Sequence, residues 1–246
     1  MGQIRVGVGG WTFEPWRGVF YPAGLPQKRE LEFASRALSS IEINGTFYST
    51  FKPASWHKWR DETPDDFVFA VKASRYCTNR KVLAESGPAI DRFIAQGLTE
   101  LGAKLGPIVW QFALTKQFDA QDFAAFLALL PREHDGLALR HALEVRHASF
   151  ATPAFIELAR AHGAAIVYAA GKDFPEIDEP TADFTYARIM SSREDLDDGV
   201  TAPELRRITK QAKTWAARGD VFLYFISAAK VRNPAAAQAL IRAVGR

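Results

Sequence analysis

Apolar residues along the chain fall into two alternating rhythms. Short β-branched runs bounded by turn residues predict eight strands, over residues 4–9, 41–46, 67–73, 107–112, 142–147, 165–169, 184–190 and 221–227. Between them, apolar residues recur at helical spacing. Helices are predicted over 27–38, 88–101, 119–130, 154–162, 201–217 and 233–244. Asp119 is placed as an N-cap, and Thr152-Pro153 as a cap followed by a first-turn proline, with Gly163 as the stop. Trp56 and Trp59 fall in a further short helix, and residues 11–24 and 191–202 read as irregular loops. Strands alternating with helices pair in parallel through helical crossovers. Eight such units in 246 residues predict an α/β fold, a single (β/α)8 TIM barrel over 1–246, with a doubly wound open sheet as the alternative.

Alternation within the strands also says what faces the lumen. Ile41 and Ile43 suit the helix side, which turns Glu42 and Asn44 inward. By the same test Lys72, Gln111, Glu144, Arg146 and Arg188 point inward, each near a strand's C-terminal end, where barrel enzymes place their chemistry. Three cations then face two carboxylates. Buried charges cost several kcal/mol each unless paired, so two readings stand. The set is either an ion network that only plugs the barrel, or a site whose surplus cation receives an anionic ligand group.

Composition narrows the classes. Thirty-one Lys+Arg against 28 Asp+Glu leave a net charge of +3, too small to argue for nucleic acid by itself. The single cysteine, Cys77, excludes an internal disulfide framework and a Cys-rich zinc site. No apolar run approaches a membrane span. The opening MGQIRVGVGG lacks a signal-peptide core, and Val6 stands where the myristoylation pattern needs Ser or Thr. The expectation is a cytoplasmic protein without membrane contact.

Several segments carry a resemblance: GGWTFEPWRGVFYP (9–22), SIEINGTFYSTFKP (40–53), FVFAVKAS (67–74), LGPIVWQF (105–112) and LEVRHASF (143–150). In this order and combination they resemble the YecE-like family of bacterial and archaeal proteins. The resemblance implies a closed TIM barrel and brings no reaction, substrate or catalytic residue. Trp11, Glu42, Asn44, Thr46, Phe47, Tyr48, Lys72, Gln111, Glu144, Arg146 and His147 fall on the family-like motifs. The C-terminal third departs. Met190-Ser191 stands where the family has His-Gly, and Phe225-Ile226-Ser227-Ala228 where it has Phe-Asn-Asn-Asp. Polar groups are thereby removed from the mouth of the expected pocket, which implies a changed ligand or a decayed site.

The chemistry expected of these residues is anion-directed. Arg146, Arg188 and Lys72 can clamp a phosphate or carboxylate. Glu42 or Glu144 can serve as acid/base, and Lys72 can form a Schiff base or, alternatively, a salt bridge to one of the glutamates. Asn44, Gln111 and His147 would orient the substrate, and Trp11 or Tyr48 would stack on it. No HxH or HExxH pattern supports a metal, and no GxGxxG or P-loop supports a nucleotide cofactor, so none is expected. The functional expectation is an enzyme acting on a small anionic, phosphorylated-sugar or nucleotide-like compound. The alternative is a non-catalytic binding module for an anionic metabolite or nucleic acid.

Overall fold

In a computed structural model, residues 1–171, 174–226 and 228–245 are described. Eight barrel strands are formed: β1 (Ile4–Gly9), β2 (Ser40–Ile43), β3 (Val68–Lys72), β4 (Leu105–Gln111), β5 (His141–Glu144), β6 in two pieces (Ala165–Ile166 and Tyr168–Ala170), β7 (Phe184–Ile189) and β8 (Asp220–Phe225). Every neighbouring pair is parallel. The ladder starts on Ala165–Ile166, runs through β5, β4, β3, β2, β1, β8 and β7, and ends on Tyr168–Ala170. Its two ends are halves of one strand joined at Val167, whose N–H donates to Leu143 O at 3.0 Å. That continuity closes the sheet into a barrel and excludes the open doubly wound alternative.

Helices α1 (Glu30–Ala37), α2 (Pro53–Glu62), α3 (Arg75–Thr78), α4 (Gly87–Ile94), α5 (Ala120–Ala128), α6 (Pro153–Ala161), α7 (Ala202–Ala216) and α8 (Asn233–Val244) cover the outside. Their ends follow the side chains that satisfy orphan N–H groups. Asp119 accepts from the N–H of Gln121 and Asp122, and Thr152 accepts from that of Phe155. Thr201 does the same for Glu204. The apolar helix stripes bury against outward strand residues such as Ile41, Phe69, Ile108 and Leu143.

Two expectations shift. The helix expected over 88–101 stops at Ile94, because Gly97 takes a left-handed φ of 102° and the chain restarts as a 3-10 turn, Leu98–Lys104. The fifth strand ends at Glu144, so Arg146 leaves from the loop rather than from the strand. The 13 residues 171–183 hold no helix among those described, and a short antiparallel ladder, Glu133–His134 with Leu137–Ala138, precedes β5. The end of the expected eighth strand, Ser227, lies outside the described residues.

The lumen is layered. Val68, Ala70, Val109, Phe184 and Phe222 belong to an apolar plug distinct from the helix-facing core. Above Phe184 and Phe222, the Tyr186 and Tyr224 rings pack with centroids 5.2 Å apart, and Ser40 Oγ hydrogen-bonds Tyr224 Oη at 2.7 Å. There is no room for a side chain at Gly7: a Cβ there would fall 1.8 Å from Ser40 O. Above this plug, at the C-terminal ends, the side chains turn charged.

Candidate functional site

Glu42, Glu144 and Arg188 are brought together by three strands that are not neighbours. β2 contributes Glu42, β5 contributes Glu144 and β7 contributes Arg188, each pointing inward because it shares parity with the plug residues below it. The guanidinium bridges both carboxylates: Nη2 donates to Glu42 Oε1 at 2.9 Å and Nη1 to Glu144 Oε2. Both glutamates are fully buried and Arg188 nearly so. Tyr186 Oη donates to the other oxygen of Glu42 at 2.6 Å. Gln111 Nε2 donates to Glu144 Oε2 at 2.7 Å, and Arg146 Nη2 to Glu144 Oε1 at 2.9 Å. Arg188 Nε is buried and has no hydrogen-bond partner among the described residues.

Electrostatics fix the protonation of this base. Burial disfavours the Glu144 carboxylate, but Arg188 and Arg146 beside it outweigh that cost and hold it below the ordinary carboxylate range. Burial likewise disfavours charge on Arg188, and Glu144 and Glu42 overcome it, so the guanidinium stays charged. Tyr186 is pushed well above the usual phenol value, first by burial and then by Glu42, so it serves as a donor.

Lys72 is placed differently. Only 8% exposed, it stands at the last position of β3, and its backbone carbonyl accepts from Thr46 Oγ1 at 2.6 Å. Its ammonium lies 4.1 Å from the centroid of the Phe47 ring, and among the described residues no carboxylate lies within ion-pair distance. The salt bridge to a glutamate, one of the two expectations for this residue, does not form, because Arg188 has taken both carboxylates. Burial, reinforced by Arg188, lowers the Lys72 pKa from 10.5 to about 8; Glu42 and Glu144 oppose the shift only in part.

The other candidates spread around this centre. Asn44 lies beside Gly9 at the mouth: a Cβ on Gly9 would sit 2.4 Å from its amide nitrogen. The Arg146 guanidinium, 21% exposed, lies 4.7 Å from the centroid of Phe174, which comes from the segment after β6. Three residues stand apart from the ion cluster. Trp11 packs edge-on against Trp59 (5.2 Å) and also contacts Phe69, on the helix side of the barrel. His147 caps the 3-10 turn Ala148–Phe150, with Nδ1 2.9 Å from Ser149 Oγ. Tyr48 is 63% exposed on the rim, its ring 5.1 Å from that of Phe47. Strand alternation turns Tyr186 inward together with Arg188, but it was not among the expected site residues. Cys77 is buried, which pushes its thiol up to about 12 and leaves it unreactive. No three His, Cys, Asp or Glu side chains among the described residues are grouped as a metal site.

The profile of the family described as protein of unknown function DUF72 matches residues 5–246. The chain belongs to the DUF72 family. The UPF0759 protein YecE of Escherichia coli K12 is 27% identical over 151 residues, which are 60% of this chain and 50% of that protein. The match thus spans half the length of the curated relative. A DUF72 protein from Thermotoga maritima superposes with a TM-score of 0.76 at 23% identity, covering 97% of each chain. Another from Enterococcus faecalis gives 0.76 at 14% identity, covering 100% of this chain and 99% of its own. D-Psicose 3-epimerase gives 0.60 at 11% identity. At these identities the structural neighbours carry the fold alone, and they agree on the barrel. The DUF72 assignment also meets the YecE-like resemblance of the strand-end motifs. No helix among the described residues is long and apolar enough to cross a membrane.

Proposed function

We propose that this DUF72 barrel is an enzyme acting on a small anionic substrate at the C-terminal ends of its strands. Lys72 is its chemically active group, and Arg146 is the group that receives the substrate's negative charge. The observation that carries this reading is the unequal sharing of charge. Arg188 bridges Glu42 and Glu144, which leaves the Lys72 ammonium, only 8% exposed, without an ion-pair partner among the described residues. A surplus cation so placed favours an anion. The carboxylates take a supporting part here. Glu144 is held ionised by its cations, which suits it to orient Arg188 and Arg146 and makes it a poor proton donor at neutral pH.

Inorganic phosphate, followed by a panel of sugar phosphates and nucleotides, tests the reading by thermal denaturation and product analysis. A ligand at 100 times its dissociation constant stabilises the folded state by about 2.7 kcal/mol. That raises Tm by about 5–10 °C for a chain of this size. Arg146→Ala and Lys72→Met should lose most of that shift. No stabilisation of the wild type, or variants that keep the wild-type shift, rejects the proposal. The pairing of both carboxylates with Arg188 favours one other reading, a binding module without turnover; it predicts the same shifts with no product from any member of the panel.

A further inference from the structure

Two lysines of this chain are buried to a similar degree, and they are satisfied in opposite ways. Lys104, 9% exposed, donates to Arg60 O at 2.6 Å, Thr63 O at 2.7 Å and Thr63 Oγ1 at 3.3 Å. These three acceptors account for its ammonium protons, and its place is structural. Lys72, 8% exposed, has no such acceptor among the described residues and rests on the Phe47 ring. An ammonium that is desolvated and unpaired is disfavoured relative to the neutral amine. Of the groups facing it, Arg188 from β7 and Arg146 from the loop after β5 are cations that add to this, while Glu42 and Glu144, both paired with Arg188, oppose it only in part. Lys230 also lies over aromatic rings, those of Phe13 and Trp16, and burial lowers its pKa too, but it is solvent-exposed on the outer loops and no charged group adds to that shift.

We infer that Lys72 Nζ is a nucleophile that forms an imine with the carbonyl carbon of an anionic aldehyde or ketone. The inference rests on the anionic reading above for the charged group of that substrate, and adds the carbonyl. The nitrogen lone pair adds to the carbonyl carbon, and the C–O π pair moves to oxygen, which takes a proton. The carbinolamine then loses its hydroxyl as water while the C=N bond forms. The two hydrogens of the amine leave in that water, so no oxidant or reductant is needed. Protonation of the imine restores on nitrogen the positive charge that the ammonium carried. It can then withdraw electrons from the neighbouring carbon, which labilises a C–H, C–C or C–O bond there.

Free amine is the reacting species. With the pKa at about 8 rather than 10.5, free amine at neutral pH is about 300-fold more abundant at Lys72 than at an ordinary lysine. The full-length protein is incubated with pyruvate, glyoxylate or glycolaldehyde phosphate and sodium cyanoborohydride, and the adducts are located by peptide mass mapping. The expected result is labelling at Lys72 at least ~10-fold faster than at any exposed lysine. Its pH profile has a midpoint near 8. Labelling spread evenly over surface lysines, or a Lys72 peptide left unmodified, overturns the inference without recourse to any variant.

Two variants separate this inference from the anionic reading. Arg146→Ala, checked for folding by circular dichroism, should slow trapping of pyruvate at Lys72 by a clearly larger factor than trapping of uncharged acetaldehyde, which loses only the part of the free amine that Arg146 sustains. If both probes label Lys72 equally well in wild type and variant, the amine stands and the Arg146 anion site falls. If phosphate stabilises the wild type but no carbonyl probe labels Lys72, the anion site stands and the imine falls.

Discussion

Replacing Arg188 with Met removes the guanidinium from the lumen and keeps an unbranched apolar stem. Two fully buried carboxylates then lose the cation they share. At an effective dielectric of about 20, a pair at the 2.9 Å of Arg188 and Glu42 attracts by about 6 kcal/mol. Desolvating each ion costs several kcal/mol, so the intact network contributes far less than that to net stability. Cutting it strands the carboxylates, and removing one partner of a buried pair costs about 3–5 kcal/mol. The lower end is expected, because Tyr186 still donates to Glu42, and Gln111 and Arg146 still donate to Glu144. The sign of the pH dependence is the sharper test. In the wild type the folded Glu144 pKa is depressed, so its contribution is present above the unfolded carboxylate pKa and is lost as pH falls through the folded value. In Arg188→Met a stranded carboxylate is governed by burial, and its folded pKa rises above the unfolded one. Folding then takes up a proton, and stability increases as pH falls from neutrality, by up to about 1.4 kcal/mol per pH unit for one carboxylate. Urea unfolding of both proteins at about pH 7 and about pH 5.5 measures this. A loss below ~1 kcal/mol at neutral pH, or a variant that weakens with acid in parallel with the wild type, refutes the electrostatic account.

Smaller perturbations probe the supports of the network. Tyr186→Phe deletes the 2.6 Å donor to Glu42 and leaves a buried carboxylate oxygen short of a partner, an expected loss of about 1–3 kcal/mol in the same urea assay. Gly7→Ala drives a methyl group to 1.8 Å from Ser40 O, where only backbone can yield, so β1 and β2 must part. The expected loss is about 3 kcal/mol or more, seen as a lowered Tm or as failure to accumulate folded protein. Thr152→Ala removes the cap on the Phe155 N–H of α6 and should cost about 1 kcal/mol, while Thr152→Ser should recover most of it. Equal Tm values for the Ala and Ser variants would remove the hydroxyl from that explanation.

The hydrophobic pattern was sufficient for eight strand-helix units, though not for closure of the sheet, because each strand is buried on both faces and each helix on one. Eight apolar runs therefore stood out without any partner information. Two caps were legible for the same local reason: Asp119 and Thr152 act on N–H groups two or three residues away. The inward parity of Glu42, Lys72, Gln111, Glu144 and Arg188 was also legible, since alternation along a strand needs no knowledge of its neighbours. Pairing among them was not. Which cation takes which carboxylate depends on where β2, β5 and β7 stand around the closed ring, and alternation carries no information on that. The ends of elements failed where a backbone dihedral decided them, as at Gly97, which stops α4 short of the expected 101. Trp11 and Tyr48 illustrate the limit for loops. Their ring chemistry suited a ligand, yet Trp11 faces Trp59 and Phe69 outside the lumen. Tyr48 lies on the exposed rim.

The choice of residue type at β7 explains why Lys72 is left over. A carboxylate on β2 and another on β5 can both be served from β7 only by a group with donors diverging from one plane. A guanidinium has that fork, whereas an ammonium is a single point of charge. With Arg at position 188, both glutamates are filled from one side, and the amine on β3 finds neither free.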